Sequence, residues 1–537
     1  MSEGGSKLPL FVPHCDAGEL LYVRALVPHV NSDIPIYGLP ARRTNEEPLR
    51  TVEGMAQRMV EMICAVQPVG PYRLAGWGFG GTLAYEIATQ LIGADHQVEF
   101  LGLLDTDYIP GLSSFPDRFL AHFDTKDEPT ARESLEGASI KTPLNASSIS
   151  FALVDKCPQM ALCPDRLNDP SAKNIRDILD CENNYQAASV RYSAQELPIH
   201  VHLFVAQDND AADPLLGWTD FISRSRLRLI PITGTHQSML SSPNVETLGS
   251  ILSHSILQSA GSSGKSPDKL YSPLVTLQAG QDNVEPLFCI PGAGANVVGF
   301  IDLIAHLDQA RPVYGFQPRG LDGTVIPYSK VSTAAHAYIQ AISNIQPRKP
   351  IHLLGHSFVG WIAFEMAQLL VHTERPIASL TIIDSEAPGV ASEYNSTEIL
   401  LNWVNLLEQL LERPLPVELR DLDLRTDRFR RRFLHNLLVE ERFMPWQSDP
   451  DLLLGPLNTF AMSLRTSYKP SMCYLGQVRL VLVGEPHLSV ETNDRNQENL
   501  VGRWRQWAPK LIYTHAPGNH MTVLKPPYVR HLARLIK

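Results

Sequence analysis

Four blocks of this 537-residue chain occur twice, in the same order, and that duplication limits the possible fold more than any other feature. "LPLFVPHCDAGE" at Leu8 to Glu19 returns as "EPLFCIPGAGAN" at Glu285 to Asn296. "IPIYGLPAR" (Ile34 to Arg42) returns as "RPVYGFQPR" (Arg311 to Arg319). "YRLAGWGFGGTLAYEIATQL" matches "IHLLGHSFVGWIAFEMAQLL", and "VEFLGLLDTD" matches "IASLTIIDSE". A period of roughly 280 residues is far longer than a solenoid unit, so the repeated object is a whole domain. Between the copies "SAGSSGKSPDK", Ser259 to Lys269, is rich in Gly and Ser and has the composition of a flexible tether. The expected layout is a first domain over 1–257, a linker over 258–269 and a second domain over 270–537. The second copy carries an extra leading strand, "LVTL", that the first lacks.

Within each copy, short β-rich apolar runs alternate with longer helical patterns. "PLFCI", "PVYGF", "IHLLG", "LTIID" and "VRLVLVG" read as strands, and "WIAFEMAQLLV" as a helix with a wide apolar face. The alternation predicts an α/β fold built on a largely parallel sheet covered on both sides. Helix-rich insertions after the Asp blocks, about residues 110–195 and 390–472, predict lids over the carboxyl edge of each sheet.

The chemistry gathers at the bends. In the second copy a strand runs into "GHSFVG" and then into a helix, the context in which a short G-x-S-x-G motif becomes a nucleophile elbow. Such a turn lifts Ser357 Oγ out of the sheet and aims the N–H of Phe358 at the place where an oxyanion forms. A second donor is expected from the "PGAG" loop, at Ala293. Asp384 ends a strand 27 positions after Ser357, and His520 lies in "APGNHMTVL" before the last helix. The order Ser, Asp, His fits a base at His520 whose tautomer is fixed by Asp384. The first copy repeats the frame: Asp105 follows Gly78 by the same 27 positions, and "ITGTHQSML" supplies His236. Its oxyanion positions are expected at Cys15 and Phe79. His515 has no counterpart in the first copy and is set aside; His356 reads as packing or pocket lining.

Both copies resemble the thioesterase domains that terminate non-ribosomal peptide synthetases, here as a tandem pair. The resemblance is carried by "PLFCIPGAGA", "GHSFVGW-AFEMA", "IIDSEAP" and "GNHMTVL", with "AGWGFGGTLAYEIA", "LLDTD" and "GTHQSML" in the first copy. It implies two tandem α/β-hydrolase domains, each with a helical lid. The function it implies is release of a peptidyl chain, delivered on the phosphopantetheine arm of an upstream peptidyl carrier protein, as a macrocycle or a linear acid. The chain itself is expected to bind no cofactor. A stand-alone editing thioesterase and a non-catalytic carrier-docking module are the alternatives.

Two departures from the family elbow, G-x-S-x-G-G, stand out. Gly78 replaces the serine in the first copy, so that copy cannot form an acyl ester. Val359 replaces the first trailing glycine in the second, which predicts overpacking worth about 1–3 kcal/mol or a displaced Ser357. The lid segment "LRTDRFRRRFLHNLL" carries Arg425, Arg428, Arg430, Arg431 and Arg432, either a solvated helix face or a dock for an acidic carrier protein or the phosphate of its arm. A formal charge of −11 argues against nucleic acid, and seven scattered cysteines suggest neither zinc nor a disulfide framework. Without a signal peptide or an apolar run of roughly 18 residues, the expected location is cytoplasmic, away from the membrane.

Overall fold

The computed structural model describes residues 5–41, 49–108, 184–208, 213–220, 222–259, 271–345, 350–372, 377–389, 393–422 and 426–536. The chain falls into two compact units, one carried mainly by Met1–Gly264 and the other mainly by Lys265–Lys537.

In the first unit, strands β1 (Leu10–Pro13), β2 (Ile36–Leu39), β3 (Tyr72–Trp77), β4 (Val98–Leu104), β5 (Val201–Ala206) and β6 (Leu227–Ile232) form one sheet in the order β2-β1-β3-β4-β5-β6. All of its pairings are parallel. Every residue of β3 is buried, as a parallel strand covered on both faces requires. Helix Phe79–Gly93 starts directly from β3.

The second unit repeats the plan. Strands β7 (Leu274–Gln278), β8 (Leu287–Ile290), β9 (Val313–Phe316), β10 (Ile351–His356), β11 (Ile377–Ile383), β12 (Val478–Leu482) and β13 (Leu511–His515) are ordered β13-β12-β11-β10-β8-β9-β7. The extra leading strand is β7; it joins β9 at the sheet edge and is antiparallel, while the other pairings are parallel. Helices Val331–Ile345 and Gly360–His372 pack with the sheet in a core that holds Phe288, Phe316, Leu353 and Ile382.

Between β11 and β12 the second unit inserts helices Ser396–Leu411, Asp427–Glu440 and Leu454–Arg465. A capping box opens the first of these: the Asn395 side chain accepts from the Thr397 and Glu398 N–H groups, and Glu398 accepts from the Asn395 N–H. The insertion has its own apolar core, including Leu400, Val404, Leu434 and Leu438. Most of the first copy's expected lid lies outside the described residues, as do Arg425 and most of the linker. Helix Asn244–Ser259 runs two residues into the span expected to be linker. Among the described residues, no helix is long and apolar enough to cross a membrane.

The arginine-rich lid helix is not a uniform basic face. Arg430 is buried, donating Nε–H to the Leu422 carbonyl and Nη2–H to Thr397 Oγ1, so it ties the lid together from inside. Arg431 pairs with Asp451 at 3.2 Å, and Arg428 and Arg432 face outward. The cause is helical spacing: Arg430 shares its face with Leu434, Leu437 and Leu438, which are buried.

Candidate active site

Strand β10 ends at His356, and the chain turns through Ser357 with φ +64° before helix Gly360–His372 begins. A non-glycine residue in the left-handed region costs of order 1–3 kcal/mol and persists only where its surroundings hold it there. Two glycines make the turn possible. A Cβ at Gly355 would come within 2.9 Å of the Gly360 Cα, and one at Gly360 within 2.6 Å of Ser385 Oγ. Strand and helix therefore touch through backbone at this corner.

Three loops at the carboxyl ends of the strands converge on the turn. Ser357 Oγ lies 2.9 Å from His520 Nε2, and His520 Nδ1 lies 2.6 Å from Asp384 Oδ2. Asp384 follows β11 with φ +44° and donates its N–H to the Val481 carbonyl, which fixes the acid against β12. The loop of His520 is braced by Asn519, 1% exposed, whose Oδ1 accepts from the Met521 and Thr522 N–H groups and whose Nδ2 donates to the Gln409 carbonyl of the lid. Burial alone would lower the His520 pKa. The hydrogen bond and charge of Asp384, with a further contribution from Glu485, outweigh it and hold the imidazole above its ordinary value. A hydroxyl, an imidazole and a carboxylate linked in this sequence can move the hydroxyl proton onto the imidazole as the oxygen attacks a carbonyl.

Ala293 and Phe358, the expected oxyanion donors, line one cavity beside the turn, together with Val359, Tyr338, Ile362 and Thr459. Among the described residues the Ala293 N–H meets no backbone acceptor. Thr459 Oγ1, on lid helix Leu454–Arg465, is buried and has no hydrogen-bond partner among the described residues. Val359 is 6% exposed and sits in the helix–sheet core without breaking the Ser357–His520 contact. The glycine that close packing demands is the next one, Gly360.

The first unit shows the same frame around Gly78, which has φ +53°. His236 Nδ1 lies 2.8 Å from Asp105 Oδ2, and Asp105 Oδ1 accepts the Ala206 N–H at 2.9 Å. A Cβ built on Gly78 would meet His236 Cε1 and Nε2 at 3.5 Å, an ordinary contact. Phe79 begins the helix after the turn and stacks on Tyr185 at 5.0 Å.

Cys15 does not fill the oxyanion position expected of it. Its N–H donates to the Glu19 carbonyl at 3.1 Å. The strand register gives the reason. Leu10 pairs with Arg73 and Leu287 with His352, and Arg73 and His352 are equivalent, so Leu10 corresponds to Leu287. Counting forward from that pair sets Asp16, not Cys15, against Ala293.

Of the residues just before the two turns, sequence reasoning took His356 as packing or pocket lining and did not consider Trp77. His356 Nε2 lies 2.9 Å from the His520 carbonyl oxygen, and Trp77 Nε1 donates to the His236 carbonyl at 3.1 Å. The signal was available: the two occupy equivalent positions, and each carries a ring N–H. Glu485, three residues after β12, was also missed. It accepts from Gln409 Nε2 at 3.2 Å, and burial followed by the Asp384 charge holds its carboxyl above the usual range.

A family model described as the thioesterase domain matches residues 9–115 and 285–537. Microperfuranone synthase of Emericella nidulans is 29% identical over 333 residues, which cover 58% of this chain and 34% of the relative. Chondramide synthase of Chondromyces crocatus is 28% identical over 261 residues, covering 46% of this chain and 6% of the relative. The chain thus spans about a third or less of the length of these relatives. Among solved structures, the Vlm2 thioesterase domain is 20% identical, with a TM-score of 0.37, over 49% of this chain and 95% of that one.

Proposed function

The chain belongs to the thioesterase domain family, and from that premise we propose that its second unit is a chain-release thioesterase of a non-ribosomal peptide synthetase, with Ser357 as nucleophile and the first unit silent in acyl transfer. The observation that carries the reading is the hydrogen-bonded series Ser357, His520, Asp384 at 2.9 and 2.6 Å, beneath a turn that holds Ser357 at positive φ.

The peptidyl thioester arrives on the phosphopantetheine arm of a carrier protein. Ser357 Oγ attacks its carbonyl carbon while His520 Nε2 takes the hydroxyl proton, and Asp384 stabilises the imidazolium. The N–H groups of Phe358 and Ala293 receive the negative charge on the carbonyl oxygen. On collapse the C–S bond breaks, and His520 returns the proton to the departing thiol. The acyl ester on Ser357 is then attacked by a hydroxyl or amine of the peptide, giving a macrocycle, or by water, giving a linear acid. In either case His520 takes the proton of the attacking group and returns it to Ser357 Oγ as the ester C–O bond breaks. Gly78 offers no oxygen for the first step, so Asp105 and His236 hold a frame without a nucleophile.

The test is mass spectrometry of the intact chain and its peptides after treatment with a serine-reactive fluorophosphonate. The expected result is a single adduct, on the Ser357 peptide, that disappears in Ser357→Ala along with thioester turnover, a loss of at least about 10³-fold. A chain that takes no adduct at Ser357 would make the reading untenable and leave a carrier-docking protein in its place.

A further inference from the structure

Trp77 and His356 end the central strands of their sheets, are 5% and 7% exposed, and immediately precede Gly78 and Ser357. Indole and imidazole differ greatly in volume. What the two side chains share is a ring N–H directed at one acceptor, the backbone carbonyl of the histidine that faces the turn. They share a ring contact as well. Trp77 stacks on His236 with centroids 4.5 Å apart and planes at 21°, and His356 lies 4.9 Å from the His520 ring at 30°. A residue that only filled space would have no reason to preserve the donor and change the volume.

We propose that His356 is a positioning residue for His520, clamping the base by its own carbonyl so that the imidazole stays in line between Asp384 and Ser357. This rests on the thioesterase reading above. A carbonyl oxygen can only accept, so the hydrogen bond requires the proton of His356 on Nε2 and leaves Nδ1 as an acceptor. Burial pushes the His356 pKa down to about 3, followed in effect by the charge of His520, so the ring stays neutral and places no second cation against the base. The clamp acts from the strand side. Asn519 braces the same loop from its own turn and from the lid, so the base is held at two successive residues.

The experiment uses the full chain and three variants. His356→Phe keeps a ring and removes the donor, His356→Trp borrows the first unit's solution, and His356→Gln retains an N–H donor without a ring. The Phe variant should lose about 10- to 100-fold in kcat on a short acyl thioester, as expected for a small misplacement of a catalytic group, with KM within about twofold. The Trp variant, or Gln if the indole proves too large by thermal unfolding, should recover most of that loss. Imidazole nitrogen NMR of the unmodified chain should show His356 as the Nε2–H tautomer. Equal activity of Phe and wild type, equal losses in all three variants, a loss confined to KM, or an Nδ1–H tautomer would each overturn the clamp. A wild-type chain with no turnover and no fluorophosphonate adduct would instead remove the thioesterase reading, and the role given to His356 with it.

Discussion

The two turns differ by far less than their sequences suggest. Gly78 and Ser357 have φ +53° and +64°, and the acids that follow have φ +45° and +44°. The histidine-to-acid distances are 2.8 and 2.6 Å. Strand ends, helix starts and loop anchors evidently build this corner, and the nucleophile is an addition to a frame that stands without it. What does differ is the surroundings. The His236 side chain is 38% exposed against 17% for His520, and the loop facing the turn carries Asp16 where the second unit has Ala293.

The change expected to break this comparison most sharply is Gly78→Ser, made in a Ser357→Ala background so that the first unit is read alone. A Cβ at Gly78 fits at 3.5 Å from His236, and the strain of a non-glycine residue there, about 1–3 kcal/mol, is one the second unit already bears. A fluorophosphonate adduct should therefore appear on the peptide containing position 78, where the parent has none. Labelling should run about 10²- to 10³-fold slower than at Ser357, because an acidic residue, Asp16, stands in the loop position where the second unit has Ala293 as the expected second donor. Full parity between the units would show that the two loops are equivalent in spite of Asp16. A folded variant that takes no label would show that the first unit has lost more than an oxygen atom.

The second unit's pH dependence sharpens the contrast next. Asp384 holds His520 above its ordinary pKa, and only the neutral imidazole can accept the Ser357 proton. The acidic limb of kcat/KM should therefore have its midpoint above about 6.5, with activity falling about tenfold per pH unit below it. Stability should run the other way. A raised folded-state pKa contributes fully below the unfolded value of about 6.5, and that contribution is lost as pH rises through the folded value. The histidine pair is thus most stabilising where the enzyme is least active. An acidic midpoint at or below the ordinary histidine value would mean that the Asp384 contact fails to govern the base.

Much of this was legible in the chain because it depends on order and period. Parallel strands buried on both faces must be apolar runs, and "IHLLG" followed by "HSFVG" marks the strand-to-helix corner whatever the lid above it does. The equal spacing from Gly78 to Asp105 and from Ser357 to Asp384 survived because strands, turn and helix between them are matched in length. Loops carry no such period. The donor expected at Cys15 falls one residue short of Asp16, the position that the strand pairing sets against Ala293. Arg430 looked like surface charge in a run of arginines, and only the packing of its helix shows that it faces inward. Of the clamp at His356, only the paired ring donors at equivalent positions were legible; their acceptor lies on a loop that returns 164 residues later, which no local pattern encodes.

Val359 offers the smallest effect and the finest distinction. At its counterpart Gly80, a Cβ would meet the His14 carbonyl at 2.8 Å and the Tyr22 hydroxyl at 3.1 Å, so the first unit has no room for a valine there. In the second unit the valine is buried in the helix–sheet core, and Ser357 keeps its contact with His520. Val359→Gly should therefore change kcat by less than about threefold, far below the roughly 100-fold cost of a misplaced catalytic group. It should lower stability by about 1–3 kcal/mol, from lost apolar burial and the entropy of a new glycine, measurable as a shift in thermal unfolding. A rise in kcat of tenfold or more would mean that the isopropyl group does press on the turn, and the near-identity of the two corners would then conceal a strain that only the second unit carries.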